Sequence, residues 1–191
     1  MKRSRVSTLA LVGLANAFLA GTALSQQQSG AASGDARTQA IVASFNKSKH
    51  VIKEKRGVRK EKYLDVRSVP ATKQNLVDYS GTYEASVGFR LRLRVDAGGR
   101  VEGTGSEPVD DAGTVQRTFS LRNGVVNGAL IKATKVYADG TSEPLEGVFI
   151  NKTVFESPTD KGVTAFGLGV VGQRYHVGGL DLDRVFYELR Q

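Results

Sequence analysis

Between Gly81 and Val95 the chain places an apolar or small residue at every second position: Tyr83, Ala85, Val87, Phe89, Leu91, Leu93 and Val95. An apolar period of two is that of an extended strand with one buried face. Arg90, Arg92 and Arg94 occupy alternate positions. One side of this stretch must therefore meet an oily interior, and the other must meet water or a polar partner.

The chain beyond it repeats the theme, with short apolar runs separated by turn residues. Asp96 to Arg100 closes best as a three-residue loop, which sets Val95 opposite Val101 and Arg94 opposite Glu102, apolar against apolar and plus against minus. Asn123-Gly124 predicts a two-residue hairpin that pairs Leu121 with Val126 and Phe119 with Gly128. A third turn at Asp139 to Glu143 leads into an apolar run from Leu145 to Phe155. Further strands are expected at 163–171, near 175–177 and at 184–189. Gly103, Gly128 and Gly147 each follow an apolar residue by two positions, and glycines inside strands mark bends that let a sheet curl. About eight short strands with short loops predict a mainly β domain over 76–191, a small antiparallel up-and-down barrel, with a two-sheet sandwich as the alternative. Tyr83, Phe89, Leu91, Leu93, Phe119 and Leu121 are the expected interior and the candidate ligand-binding residues.

Upstream, Lys2, Arg3 and Arg5 precede an apolar run and a cluster of small residues ending near Ser25. That is the pattern of an export signal over 1–25, and its apolar run is shorter than the ~20 residues of a membrane span. Removing it takes three of 27 basic residues, leaving 24 against 19 acidic ones, a charge of +5. With no cysteine, an exported chain relies on burial and backbone pairing rather than disulfides. A bacterial periplasmic or secreted protein is expected, one that is not an integral membrane protein once the signal is gone.

Residues 26–34 read as a flexible leader and 35–75 as a basic helical arm and connector. Asp35 is placed to cap a helix in which Ile41, Phe45 and Ile52 recur at helical spacing, with Gly57 as its stop. Between Lys47 and Lys62 eight basic residues face two acidic ones. Lys53, Lys55, Arg56, Arg59, Lys60 and Lys62 form the candidate anion-binding set. They read either as a solvated face that keeps the chain soluble or as a docking arm for an anionic envelope surface. Aromatic residues are not interleaved with them, Tyr63 standing at their edge, so no specific nucleic-acid partner is expected.

Chemistry-bearing motifs are sparse. Gly167-Leu-Gly-Val-Val-Gly172 spells a dinucleotide fingerprint but no helical pattern follows, so phosphate binding is rejected. The two histidines, His50 and His176, are too few for a zinc site. Asp181 and Asp183 alternate on one strand face near His176 and read as turn and surface residues rather than a catalytic pair. No catalytic residue, metal site or cofactor is expected. Arg90, Arg92 and Arg94 read as a solvated outer face, or else as guanidiniums lining a pocket for a carboxylate or phosphate. An outer-membrane barrel would instead turn those arginines inward, but several strands fall short of the ~9 to 11 residues a span needs.

The segment Tyr79-Ser80-Gly81-Thr82-Tyr83, followed by an alternating strand and a glycine turn, resembles the opening of lipocalin-type barrels, whose first strand carries Gly-x-Trp; here Tyr83 stands in place of the Trp. It is also similar to small barrel domains appended to some serine β-lactamase-like proteins, which open on a comparable Tyr-x-Gly-x-Tyr. The resemblance implies an enclosed apolar pocket and a late arginine over Tyr83, with Arg184 and Arg190 both open for that role. The expected function is a non-enzymatic exported barrel binding a small apolar or amphipathic ligand. The alternatives are an envelope adaptor that docks through its basic arm and, third, a carboxylate-based hydrolase.

Overall fold

A computed structural model describes residues 34–46, 51–55, 58–61, 63–156 and 159–190, with 51–55, 58–61 and 63 described as backbone only. The predicted export signal and nearly all of the leader lie outside these residues, as do Arg56 and Lys62 of the anion-binding set.

Helix α1 spans 34–46. Strands β1 (Val51–Lys55) and β2 (Val58–Glu61) form a separate two-stranded hairpin, and β3 is Tyr63–Ser68. The eight strands that follow are β4 (Gly81–Glu84), β5 (Arg90–Val95), β6 (Arg100–Pro108), β7 (Gln116–Asn127), β8 (Leu130–Tyr137), β9 (Ser142–Phe155), β10 (Val163–Val177) and β11 (Leu180–Arg190). They pair antiparallel in chain order, and β11 returns to β4 through Glu188–Glu84, Leu189–Tyr83 and Arg190–Thr82. The result is the predicted closed up-and-down barrel; that closure rules out the sandwich. β3 pairs with the half of β9 that β8 does not reach, so β3 lies in line with β8.

The Asp96–Arg100 loop has the expected register, with Val95 opposite Val101 and Arg94 opposite Glu102. The 81–95 alternation, in contrast, is a hairpin rather than one strand. Residues 85–89 turn the chain, with Val87 at φ 64, and Tyr83 pairs with Leu91. A five-residue loop preserves the in-out parity, which is why the apolar period runs through it unbroken. Leu91, Leu93 and Val95 face the lumen, and the three arginines face out.

Asn123-Gly124 does not make the hairpin. The chain contains a second Asn-Gly pair at 127–128, and the turn forms there, with Gly128 at φ 58 and Asn127 opposite Leu130. That choice extends β7, giving Arg100 and Val101 partners and setting Val126 against Ile131. Asn123, at φ 53, is absorbed as a bulge. Phe119 consequently opposes Tyr137, and Leu121 opposes Lys135. The strands expected at 163–171 and 175–177 are one strand, β10, whose register shifts between Val171 and Tyr175.

α1 ends at residue 46, and Ile52 belongs to β1 rather than to the helix. Asp35 lies inside the first turn, where a negative charge suits the helix dipole. Ile41 and Phe45 pack on the outside of the barrel against Val66, Leu130, Val148 and Ile150. Gly169 permits this, since a Cβ there would lie 2.7 Å from the Phe45 ring. The Asn46 amide accepts from Val66 N–H at 2.9 Å and donates to its carbonyl at 3.0 Å, so it meets β3 as a backbone would. Arg184 donates to the Ser44 carbonyl at 2.5 Å, and Arg37 pairs with Glu146.

Candidate functional site

The six predicted interior residues do meet. Tyr83, Phe89, Leu91, Leu93, Phe119 and Leu121 are all buried in one apolar cluster with Phe149, Leu168 and Tyr187. Rings fill the lumen: Phe89 stands edge-on to Tyr175 with centroids 4.7 Å apart, and Tyr79 meets Phe149 at 4.5 Å. Tyr79, carried on a short 3-10 turn (Leu76–Tyr79), donates to the Val69 carbonyl at 3.1 Å, and the Tyr83 hydroxyl donates to the Tyr79 carbonyl at 2.7 Å. These side chains form a packed core.

The opposite end of the barrel holds a cluster that periodicity alone did not single out. Glu107 and Lys135 lie on the lumen-facing parity of β6 and β8, and each is 1% exposed. Glu107 accepts from Lys135 Nζ at 2.5 Å, Arg117 at 2.8 Å, and the hydroxyls of Tyr137 at 2.7 Å and Tyr175 at 2.9 Å. Lys135 also donates to Gln173 Oε1 at 2.6 Å. Gln173 Nε2 donates to Glu143 at 3.0 Å, and Arg117 reaches Glu143 at 3.1 Å while its guanidinium stacks 3.7 Å above the Tyr137 ring. Two acids and two bases balance the cluster.

Burial by itself would raise the Glu107 carboxyl, but its hydrogen bonds from Lys135, Tyr137 and Arg117 outweigh that and hold it below the usual carboxylate range. Burial, with Glu107 alongside, pushes the Tyr137 and Tyr175 hydroxyls up. Both oxygens of Glu107 are thus engaged as acceptors, and the carboxylate serves as a charged plug. Outside it lies an open cavity of about 550 Å³ bordered by Arg117, Glu143, Gln173, Arg174 and His176. Arg117 Nε is buried there without an acceptor among the described residues. A sequence signal for this cluster existed: Lys135 shares the parity of Ile131, Ala133 and Tyr137, and Glu107 that of Val101.

The remaining candidates scatter. Lys53 and Lys55 fall in β1, Arg59 and Lys60 in β2. His176 bonds Asp181 at 2.8 Å across the β10–β11 turn, whereas Asp183 faces Arg184 at 3.6 Å, so the two aspartates do not converge. The fingerprint glycines, Gly167, Gly169 and Gly172, lie inside β10, with no helix after them. Neither late arginine covers Tyr83: Arg184 binds α1, and Arg190 pairs with Glu84 at 3.3 Å and Glu188 at 3.1 Å. The arginine laid over a tyrosine is Arg117.

On the outside, Arg90, Arg92 and Arg94 stand beside a groove across β4–β8, traced by two adjoining cavities of about 590 and 800 Å³. Arg90 lies 3.6 Å from Glu84. Arg94 sits opposite Glu102 but makes no ion pair with it, and among the described residues Arg92, Arg94 and Arg122 have no side-chain partner.

Fold and site together define a class: a closed eight-stranded up-and-down barrel with a side-chain-filled lumen, one end sealed by balanced charge. The chain matches no family model, no curated protein and no solved structure.

Proposed function

We propose that this chain is an exported, non-catalytic barrel domain that docks on an anionic surface of the bacterial envelope through its basic exterior. The filled lumen carries this reading, because Tyr83, Phe89, Phe149 and Leu168, all fully buried, occupy the space a lipophilic ligand would need. The charge layout supports it too. The 47–62 window carries a charge of +6, and Arg92 and Arg94 on β5 have no side-chain partner among the described residues. The acids of the Glu107 cluster are committed to salt bridges and tyrosine hydroxyls, which argues for a structural use of them rather than hydrolysis. The test is retention of the full chain on a polyanion resin. Binding should be firm at low salt and weaken steeply as salt rises, and should be reduced when Lys53, Lys55, Arg56, Arg59 and Lys60 are replaced by Gln. A chain that passes straight through at low ionic strength ends the proposal.

A second reading rests on the cavity beside Arg117. There a small amphipathic ligand would place an acidic head beside the exposed Arg174 and its apolar part over Pro108, Val109 and Pro144. In that reading the barrel, whose architecture is compatible with lipocalin-type folds, holds its ligand at the mouth rather than in the lumen. Uptake of a fluorescent fatty acid that Arg174→Gln abolishes would favour it; no uptake would remove it.

A further inference from the structure

The geometry points to the outer face of β4–β8 as a binding groove for an acidic polysaccharide, an inference that rests on the docking reading and names its partner. Cross-strand register builds the groove in rows. Arg90 stands opposite Ser106, which stands opposite Thr118. In the next row Thr82, Arg92, Thr104 and Ser120 are successive neighbours. In the third, Arg94 opposes Glu102, and Arg122 lies beyond it on β7. On β6 and β7 the first two rows are short hydroxyl side chains bordered by the longer guanidiniums of β5, and Glu102 and Arg122 close the third row.

The chemistry selects the occupant. Guanidiniums are donors only and match a carboxylate bidentately. Serine and threonine hydroxyls both donate and accept, and so suit a ligand that itself carries hydroxyls. Consecutive arginines on β5 are spaced by about 7 Å, twice the strand rise, which favours a chain with repeating acidic groups over a single anion. The aromatic residues of these strands, Tyr83, Phe119 and Tyr137, face the lumen and are buried, so the face has no platform on which bases stack. A planar membrane does not enter a groove. A slender, hydroxylated, carboxylate-bearing polymer does.

The test measures binding of the full chain to polygalacturonate oligomers, with neutral dextran and oligo-dT of similar length as comparisons, for wild type, for Arg92→Gln/Arg94→Gln/Arg122→Gln, and for Lys53→Gln/Lys55→Gln/Arg59→Gln/Lys60→Gln. The expected result is that wild type binds polygalacturonate at least tenfold more tightly than either comparison. The groove variant should lose at least tenfold, and the arm variant less than threefold. Equal binding of oligo-dT, or a groove variant that binds like wild type while the arm variant fails, overturns the groove assignment and leaves the docking reading in place. A wild type that binds no polyanion overturns both.

Discussion

Glu107 and Lys135, 28 positions apart in sequence, meet at 2.5 Å with each side chain 1% exposed, and they close one end of a barrel otherwise filled with rings. The pair is asymmetric. Without Lys135, Glu107 keeps Arg117, Tyr137 and Tyr175; without Glu107, the nearest carboxylate to Lys135 is that of Glu143 at 3.8 Å. Stranding a buried charge costs about 3–5 kcal/mol. Glu107→Gln should therefore destabilise by that order, and Lys135→Met by about 1–3 kcal/mol, as read from urea midpoints. Equal costs would show that the pair, rather than the four-donor cage, holds this end.

Acid should loosen the same end. The Glu107 carboxyl is held below its ordinary value of 4.5 in the fold, so its contribution is present above pH 4.5 and lost as pH falls through the lower folded value. Wild type should lose stability as pH falls below 4.5, and Glu107→Gln should show a smaller acid slope. Parallel slopes would place acid sensitivity elsewhere.

His176 titrates in the opposite sense. Its hydrogen bond to Asp181, with Asp111 at 3.6 Å, raises its pKa above 6.5. The contact is intact below pH 6.5 and weakens as pH climbs through the raised folded value. NMR titration of the ring should give a pKa above that of an exposed histidine, and Asp181→Asn should return it toward 6.5. An unchanged value in the variant would dissociate the shift from this contact.

Helix docking is a matter of fit between Phe45 and the bare backbone at Gly169. Phe45→Ala should cost about 3–5 kcal/mol as a large-to-small change at a buried ring. Gly169→Ala should also destabilise, since its methyl would stand 2.7 Å from that ring. The two are in contact, so their effects should not add: once the ring is gone, the extra methyl has room. Additive costs in thermal melts would mean that α1 docks by other contacts.

At the closing seam Glu84 and Glu188 lie directly opposite one another, and Arg190 bridges both. Arg190→Ala removes an exposed bridge worth at most about 1 kcal/mol globally, yet it leaves like charges face to face. Amide exchange should quicken in β4 and β11 while β7 and β8 stay protected. Uniform acceleration would show that the seam does not open on its own.

Much of the barrel was legible in the sequence because one buried face stamps a period of two on every strand. The Asp96–Arg100 loop was readable in register, since Val95, Val101, Arg94 and Glu102 admit one sensible pairing. What misled was degeneracy: an odd-length loop at 85–89 keeps parity, and two Asn-Gly pairs four residues apart compete for one turn. α1 ran long on paper because Ile52 continues the helical spacing of Ile41 and Phe45, whereas in the fold Ile52 pairs with Lys60 of β2, a contact that helical spacing does not announce. The Glu107 cluster was hidden for a different reason: polar residues on an inward parity look like pattern errors until β6, β8 and β10 bring Glu107, Lys135 and Gln173 together.

The ring is completed by β11, which pairs with β4, so its first and last strands must find each other after everything between them has been made. Until Leu180–Arg190 is available, the growing polypeptide is a curling sheet with two open edges, and it cannot finish folding early. A chain built this way reaches its closed form only once that last strand is in place.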